Sequence, residues 1–91
     1  RKTKAKDDAR MLYNMGCVYR EVGSFKKAER SFLEALKLDP GDADTHYNLA
    51  VLYEEDFNNK IAAINHYKLF LEIAPDDVEA ARVREWLEGA Q

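Results

Sequence analysis

Proline and glycine are scarce, with 2 and 4 copies among 91 residues, so few points interrupt a helix. Cysteine occurs once, at Cys17, which excludes an internal disulfide. No apolar run approaches the ~18 residues that a membrane-spanning helix needs, so no membrane contact by this segment is expected. A signal-peptide pattern is also lacking. A surplus of positive charge is missing too, since the formal net charge is −3. Nucleic-acid binding needs a basic face, so nucleic acid is set aside as a partner. Basic residues do crowd the start, at Arg1, Lys2, Lys4, Lys6 and Arg10. A solvated helix start or flexible leader over residues 1–8 is preferred here to a phosphate-binding arm. The chain opens on Arg rather than Met, as a piece of a longer protein would. The compartment stays open, with the cytoplasm as the default and a membrane-anchored or periplasmic parent as the alternative.

What is present suits a folded helical domain. Hydrophobic residues make up 46% and charged residues 34%, a balance that argues against disorder. The length allows one domain, with a thin stability margin. Ala, Leu, Glu, Lys and Arg, all strong helix formers, are abundant.

An internal repeat dominates the chain. Leu12-Tyr13-Asn14-Met15-Gly16-Cys17-Val18-Tyr19 is answered by His46-Tyr47-Asn48-Leu49-Ala50-Val51-Leu52-Tyr53. Tyr13/Tyr47, Asn14/Asn48 and Tyr19/Tyr53 each lie 34 residues apart (53 − 19 = 34). Downstream, Ala28, Phe32, Ala35 and Pro40 are answered by Ala63, Tyr67, Phe70 and Pro75 at an offset of 35 (75 − 40 = 35). One residue is therefore inserted between Tyr53 and Ala63. Met11, Met15, Val18, Tyr19 and Val22 recur at three- and four-residue steps, which reads as an apolar helical face. Phe25, Ala28, Phe32, Ala35, Leu36 and Leu38 give a second face. No segment alternates with period two, so the expected fold is all-α. Helices are predicted over about 7–22, 25–38, 43–55, 60–73 and 77–88. Gly23 and Ser24 are expected to close one helix and cap the next. Asp76 and Glu79 suggest a capping box for the last helix.

The pattern resembles the tetratricopeptide repeat family, through Leu12, Met15, Gly16, Tyr19, Gly23, Phe25, Ala28, Phe32, Ala35 and Pro40, and then His46, Leu49, Ala50, Tyr53, Ala63, Tyr67 and Pro75. The resemblance implies an α-solenoid of antiparallel hairpins in a right-handed superhelical stack. Repeat 1 would cover 9–42, repeat 2 would cover 43–77, and a capping helix 78–91. Gly16 and Ala28 would let the helices of one hairpin approach closely. The implied function is a scaffold or adaptor that holds a peptide or helix of another protein in a concave groove. The groove positions would be Arg10, Tyr13, Asn14, Cys17 and Arg20, then Asp44, Tyr47, Asn48, Val51 and Glu54. Asn carries both a donor and an acceptor for a peptide backbone, and Tyr offers rigid contact area. Arg10 and Arg20 can attract an acidic segment. A carboxylate clamp for chaperone tails is not expected, because Tyr13, Cys17, Glu79 and Val83 stand where its polar and basic residues would be.

Catalysis is not expected. Cys17 lacks an evident base and orienting group, and a small half-buried thiol is the default for it. His46 and His66 lack metal-ligand spacing, and His46 stands where packing is the default. No cofactor motif is present. Two alternatives to groove binding stay open: self-association of the repeats, and a regulatory fragment of a larger protein. Two departures from the family pattern are Glu54–Lys60, which replaces the usual Gly turn and from which Phe57 can fold back, and Phe70, which replaces Ala.

Overall fold

The computed structural model describes residues 2–90, with side chains from Lys4 to Ala90; Arg1 and Gln91, and with them part of the basic leader and the last capping residue, lie outside the described residues. The chain forms α1 (Lys2–Glu21), α2 (Phe25–Leu38), α3 (Ala43–Val51), α4 (Lys60–Ile73) and α5 (Ala80–Ala90). A π-helical turn, Leu52–Asp56, continues α3. Among the described residues no strand occurs, and the fold is an all-α, tetratricopeptide-like helical repeat. The short joints fold α1 on α2 and α3 on α4 as antiparallel pairs. The α1–α2 pair packs on α3, and α5 closes on α4.

The core runs through the middle of this stack. Ala28, Phe32, Leu49, Ala50, Leu52, Ala63, Tyr67 and Val83 are fully buried. Small residues let the helices meet. A Cβ on Gly16 would lie 2.6 Å from a ring carbon of Phe32, well inside contact distance, so Gly16 is the slot into which Phe32 fits. Ala28, at 0% exposure, is the small residue on the facing helix.

The helix ends show where local chemistry acts. Gly23 takes φ +85°, a left-handed conformation that glycine adopts without steric cost. The amide of Ser24 then donates to the Tyr19 carbonyl at 2.8 Å, which ties off the end of α1. Ser24 sits at the N-cap of α2, but its side chain makes no cap bond, contrary to expectation. The second repeat solves the same joint differently. The extra residue is absorbed by the π turn, where the Phe57 amide reaches back to the Leu52 carbonyl at 3.1 Å. Asn58 takes φ +53° in the role of Gly23, and Asn59 caps α4 by accepting from the Ala62 amide at 3.2 Å. Phe57 folds back and packs against Tyr53, their rings 6.1 Å apart.

Further expectations are corrected. Helix α1 starts at Lys2, not near residue 7, so the described part of the leader is helical. Helix α5 starts at Ala80 rather than near residue 77. The Asp76–Glu79 capping box does not form; instead Asp77 Oδ1 accepts from the Glu79 amide at 2.9 Å. The Met11, Met15, Val18 and Val22 stripe faces outward, with exposures of 56%, 40%, 56% and 69%. Phe70 exposes no apolar spot, since its ring is buried against Tyr47 at 5.2 Å.

Candidate partner-binding groove

Three helices of the same repeat position, α1, α3 and α5, stand in a row and are tied by a recurring hydrogen bond. Asn48 Nδ2 donates to the Tyr13 hydroxyl at 3.0 Å. One repeat later, Arg82 Nη2 donates to the Tyr47 hydroxyl at 2.7 Å. Both bonds span 35 residues, and residues 14, 48 and 82 share one register (48 − 14 = 34; 82 − 48 = 34). Each tyrosine is also held by a guanidinium over its ring, Arg10 at 4.5 Å from Tyr13 and Arg82 at 5.6 Å from Tyr47. Burial, and then the neighbouring Cys17 thiol, push the Tyr13 hydroxyl up to about 12. The phenol is therefore neutral at physiological pH and free to accept from Asn48.

Ion pairs close both ends of the α1–α3 seam. Arg10 reaches Asp42 at 3.5 Å and Asp44 at 3.6 Å. Arg20 reaches Glu55 at 2.8 Å and Asp56 at 2.5 Å. Arg10 and Arg20, expected to attract an outside acidic segment, are paired with carboxylates of the chain itself. Between the ends opens a cleft of about 300 Å³, lined by Cys17, Arg20, Glu21, Phe25, Phe32, Asn48 and Asp56. Phe25 and Phe32 supply apolar wall, while Arg20, Glu21, Asn48 and Asp56 supply polar groups. This mixture of apolar area with a few polar groups is what a site for another molecule needs.

The ten sequence-predicted positions do not all meet there. Cys17, Arg20 and Asn48 line the cleft. Arg10, Tyr13 and Asp44 lie along the same seam through the contacts just given. Tyr47 belongs to the next seam, toward α5, where its hydroxyl also approaches Glu79 at 3.3 Å. Glu54 is engaged there too, accepting from the Tyr67 hydroxyl at 2.7 Å. Val51 is half-buried against the core. Asn14 lies elsewhere, beside Met11, Met15, Val18 and Tyr19 in a shallow depression on the outer side of α1. Val83, which stands at a position of the carboxylate clamp, is fully buried, and α5 presents Arg82 to Tyr47. Glu21, Phe25, Phe32 and Asp56 of the cleft lining, and Arg82 of the α3–α5 seam, were missed. The 34-residue step from Asn48 was the signal that could have found Arg82.

The other reactive groups are occupied structurally. Burial raises the Cys17 thiol above its ordinary value, which leaves it protonated and unactivated at neutral pH. His46 Nε2 lies 2.8 Å from the Pro40 carbonyl, and its Nδ1 lies 3.0 Å from His66 Nδ1. Among the described residues no group of three or more metal-binding side chains occurs.

Known proteins show the same repeat. One family model, described as TPR repeat, matches residues 16–56, and a second, described as tetratricopeptide repeat, matches residues 43–77. The chain is 35% identical over 60 residues to the type IV pilus assembly protein PilF of Pseudomonas aeruginosa, covering 65% of this chain and 24% of that protein. It is likewise 35% identical over 68 residues to a TPR repeat-containing protein of Methanocaldococcus jannaschii, covering 74% of this chain and 12% of that protein. The chain thus spans a quarter or less of the curated relatives it matches. Two overlapping family matches, together with two helix hairpins in one 34-residue register, establish that the chain belongs to the tetratricopeptide repeat family, a family of protein–protein interaction modules.

Proposed function

We propose that the chain holds an extended segment or short helix of another protein along the strip formed by α1, α3 and α5. The observation that carries this reading is the cleft in which Cys17, Arg20 and Asn48 converge from two different repeats. It combines apolar walls for one side chain of a guest with polar groups that can bond its backbone. The strip is also pre-formed, because the Tyr13–Asn48 and Tyr47–Arg82 bonds fix the spacing of the three helices, and a pre-formed site loses less ordering entropy on binding. A scaffold role agrees with the family and with a relative named for pilus assembly.

Selection of peptides from a displayed library on the folded chain, followed by titration calorimetry, tests the proposal. Filling the cleft with Cys17→Trp is expected to weaken the selected peptide at least tenfold, and Asn48→Ala by about 1 kcal/mol or more. Tyr47→Phe is the suitable probe of the second seam, since Tyr47→Ala would also remove a ring packed on Tyr67 and Phe70. Unchanged affinity in both Cys17→Trp and Asn48→Ala would remove the groove as the binding site.

A further inference from the structure

The charge balance at the cleft says which side chain of a guest fits it. Helix α1 ends at Glu21, and the π turn that continues α3 ends at Asp56. Both residues line the cleft, so two helix C-termini open on it. A helix C-terminus carries partial negative charge and favours basic residues. Arg20 is the one basic residue in the last turns of these two elements, and Glu55 and Asp56 share it. Glu21 is exposed and makes no ion pair or hydrogen bond among the described residues. Three carboxylates therefore stand against one guanidinium, and the one at Glu21 is unanswered. The cleft also offers aromatic surface, with Phe25 half-buried at its wall and Phe32 beneath. The strip already seats guanidinium groups on aromatic rings twice, Arg10 on Tyr13 and Arg82 on Tyr47.

Resting on the groove as the binding site, we propose that the cleft takes an arginine side chain of the guest protein. Its guanidinium pairs with Glu21, and Asp56 and the two helix ends add to the attraction. Its methylene stem lies along Cys17 and Phe25, which lets the apolar part be covered while the charged head meets the carboxylates. A volume of about 300 Å³ suits one long side chain. Arginine fits better than lysine, because its flat guanidinium both stacks on a ring and forks over a carboxylate. An acidic side chain is excluded, since Glu21 repels it and Arg20 is already held. One charge pair of this kind, partly covered by the cleft, is screened little by added salt.

Selection from a displayed library of random peptides on the folded chain tests this, with Cys17→Trp used to discard peptides that bind elsewhere. Peptides that lose affinity for Cys17→Trp should share an arginine at one position. Replacing that arginine by citrulline, which keeps the shape and removes the charge, should weaken binding about tenfold. Glu21→Gln should weaken the arginine peptide about threefold to fivefold and leave the citrulline peptide unchanged. Glu34→Gln removes an exposed carboxylate of α2 outside the cleft lining and should leave both unchanged. Cleft-dependent peptides without a shared arginine, or equal losses of the arginine and citrulline peptides on Glu21→Gln, would overturn the arginine assignment and leave the groove standing. Peptides that bind Cys17→Trp as well as the original chain would remove the groove and the assignment with it. Should Cys17→Trp fail to fold, magnetic cross-relaxation between the guest's arginine side chain and the Phe25 ring takes its place, and its absence would likewise overturn the assignment.

Discussion

At the scale of single residues, two buried arrangements carry measurable consequences. His66 lies between two rings, stacked on His46 at 5.3 Å and on Tyr53 at 5.7 Å. The Pro40 carbonyl has no proton to give, so His46 Nε2 donates to it. In neutral His46 this leaves Nδ1 as the acceptor for His66 Nδ1–H. Burial first, and then the facing His46, lower His66 from its ordinary 6.5 to about 4. A group whose folded pKa is lowered binds fewer protons in the folded than in the unfolded state. Its contribution is whole above about pH 6.5 and is lost as the pH falls toward about 4. The melting temperature is therefore expected to drop between pH 7 and pH 4.5, and His66→Phe should flatten that slope by keeping the ring and removing the proton site. Thermal denaturation followed by circular dichroism at several pH values checks both. Gly16 is the second case. An added Cβ would press on Phe32 at 2.6 Å. Overpacking costs ~1–3 kcal/mol, offset in part by the ~1 kcal/mol gain in helix propensity. Gly16→Ala is expected to lower stability in denaturant titrations despite that propensity gain.

At the scale of elements, the two α–α joints show one task solved twice. Gly23 makes the left-handed turn at no steric cost, and Asn58 makes it after a π turn that accommodates one more residue. Asn tolerates this region better than most residues, and β-branched residues tolerate it poorly. Asn58→Gly should leave stability unchanged or raise it by a few tenths of a kcal/mol, whereas Asn58→Val should cost about 1–2 kcal/mol. Deleting Glu55 restores the spacing of the first repeat (Tyr19 to Gly23) and should leave a folded protein. Deleting Ile64 from within α4 should not, because it rotates half of a buried helix surface by about 100°. Circular dichroism and amide exchange distinguish the two.

These elements also show what the amino-acid pattern disclosed. The limits of α2 and α4, the left-handed role of Gly23 and the single-residue insertion were readable, because propensity, turn chemistry and repeat register are local properties. The form taken by the insertion was not, since a π turn and a longer loop consume the same number of residues. The direction of the Met11–Val22 stripe was not readable either. Periodicity shows that one face of a helix is apolar, but only the presence of a neighbouring hairpin decides whether that face is buried. For the same reason register groups Asn14 with Asn48, although among the described residues Asn48 reaches a tyrosine of the hairpin before it and Asn14 lies exposed.

At the scale of the whole molecule, stability and recognition rest on the same row of first helices. The core lies between hairpins, so each hairpin depends on its neighbour, as expected for a stack in which repeats touch only adjacent repeats. The seams are closed by Arg10 and Arg20 ion pairs that lie at the surface and are partly covered. Such pairs contribute little to folding and weaken with salt. Arg20→Ala is accordingly expected to change stability by no more than about 1 kcal/mol, while widening the mouth of the cleft and altering which peptides are selected. Charge neutralised within the chain also means that guest binding should depend only weakly on salt between 0.05 and 0.5 M, which calorimetry at the two concentrations would show.

The most direct test of the account is a nuclear magnetic resonance titration of the folded chain with a peptide selected from a library. The account predicts that the largest amide shifts fall along α1, α3 and α5, at Cys17, Arg20, Asn48 and Arg82. Shifts confined to the exposed sides of α2 and α4, around Leu33 and Leu69, would contradict it.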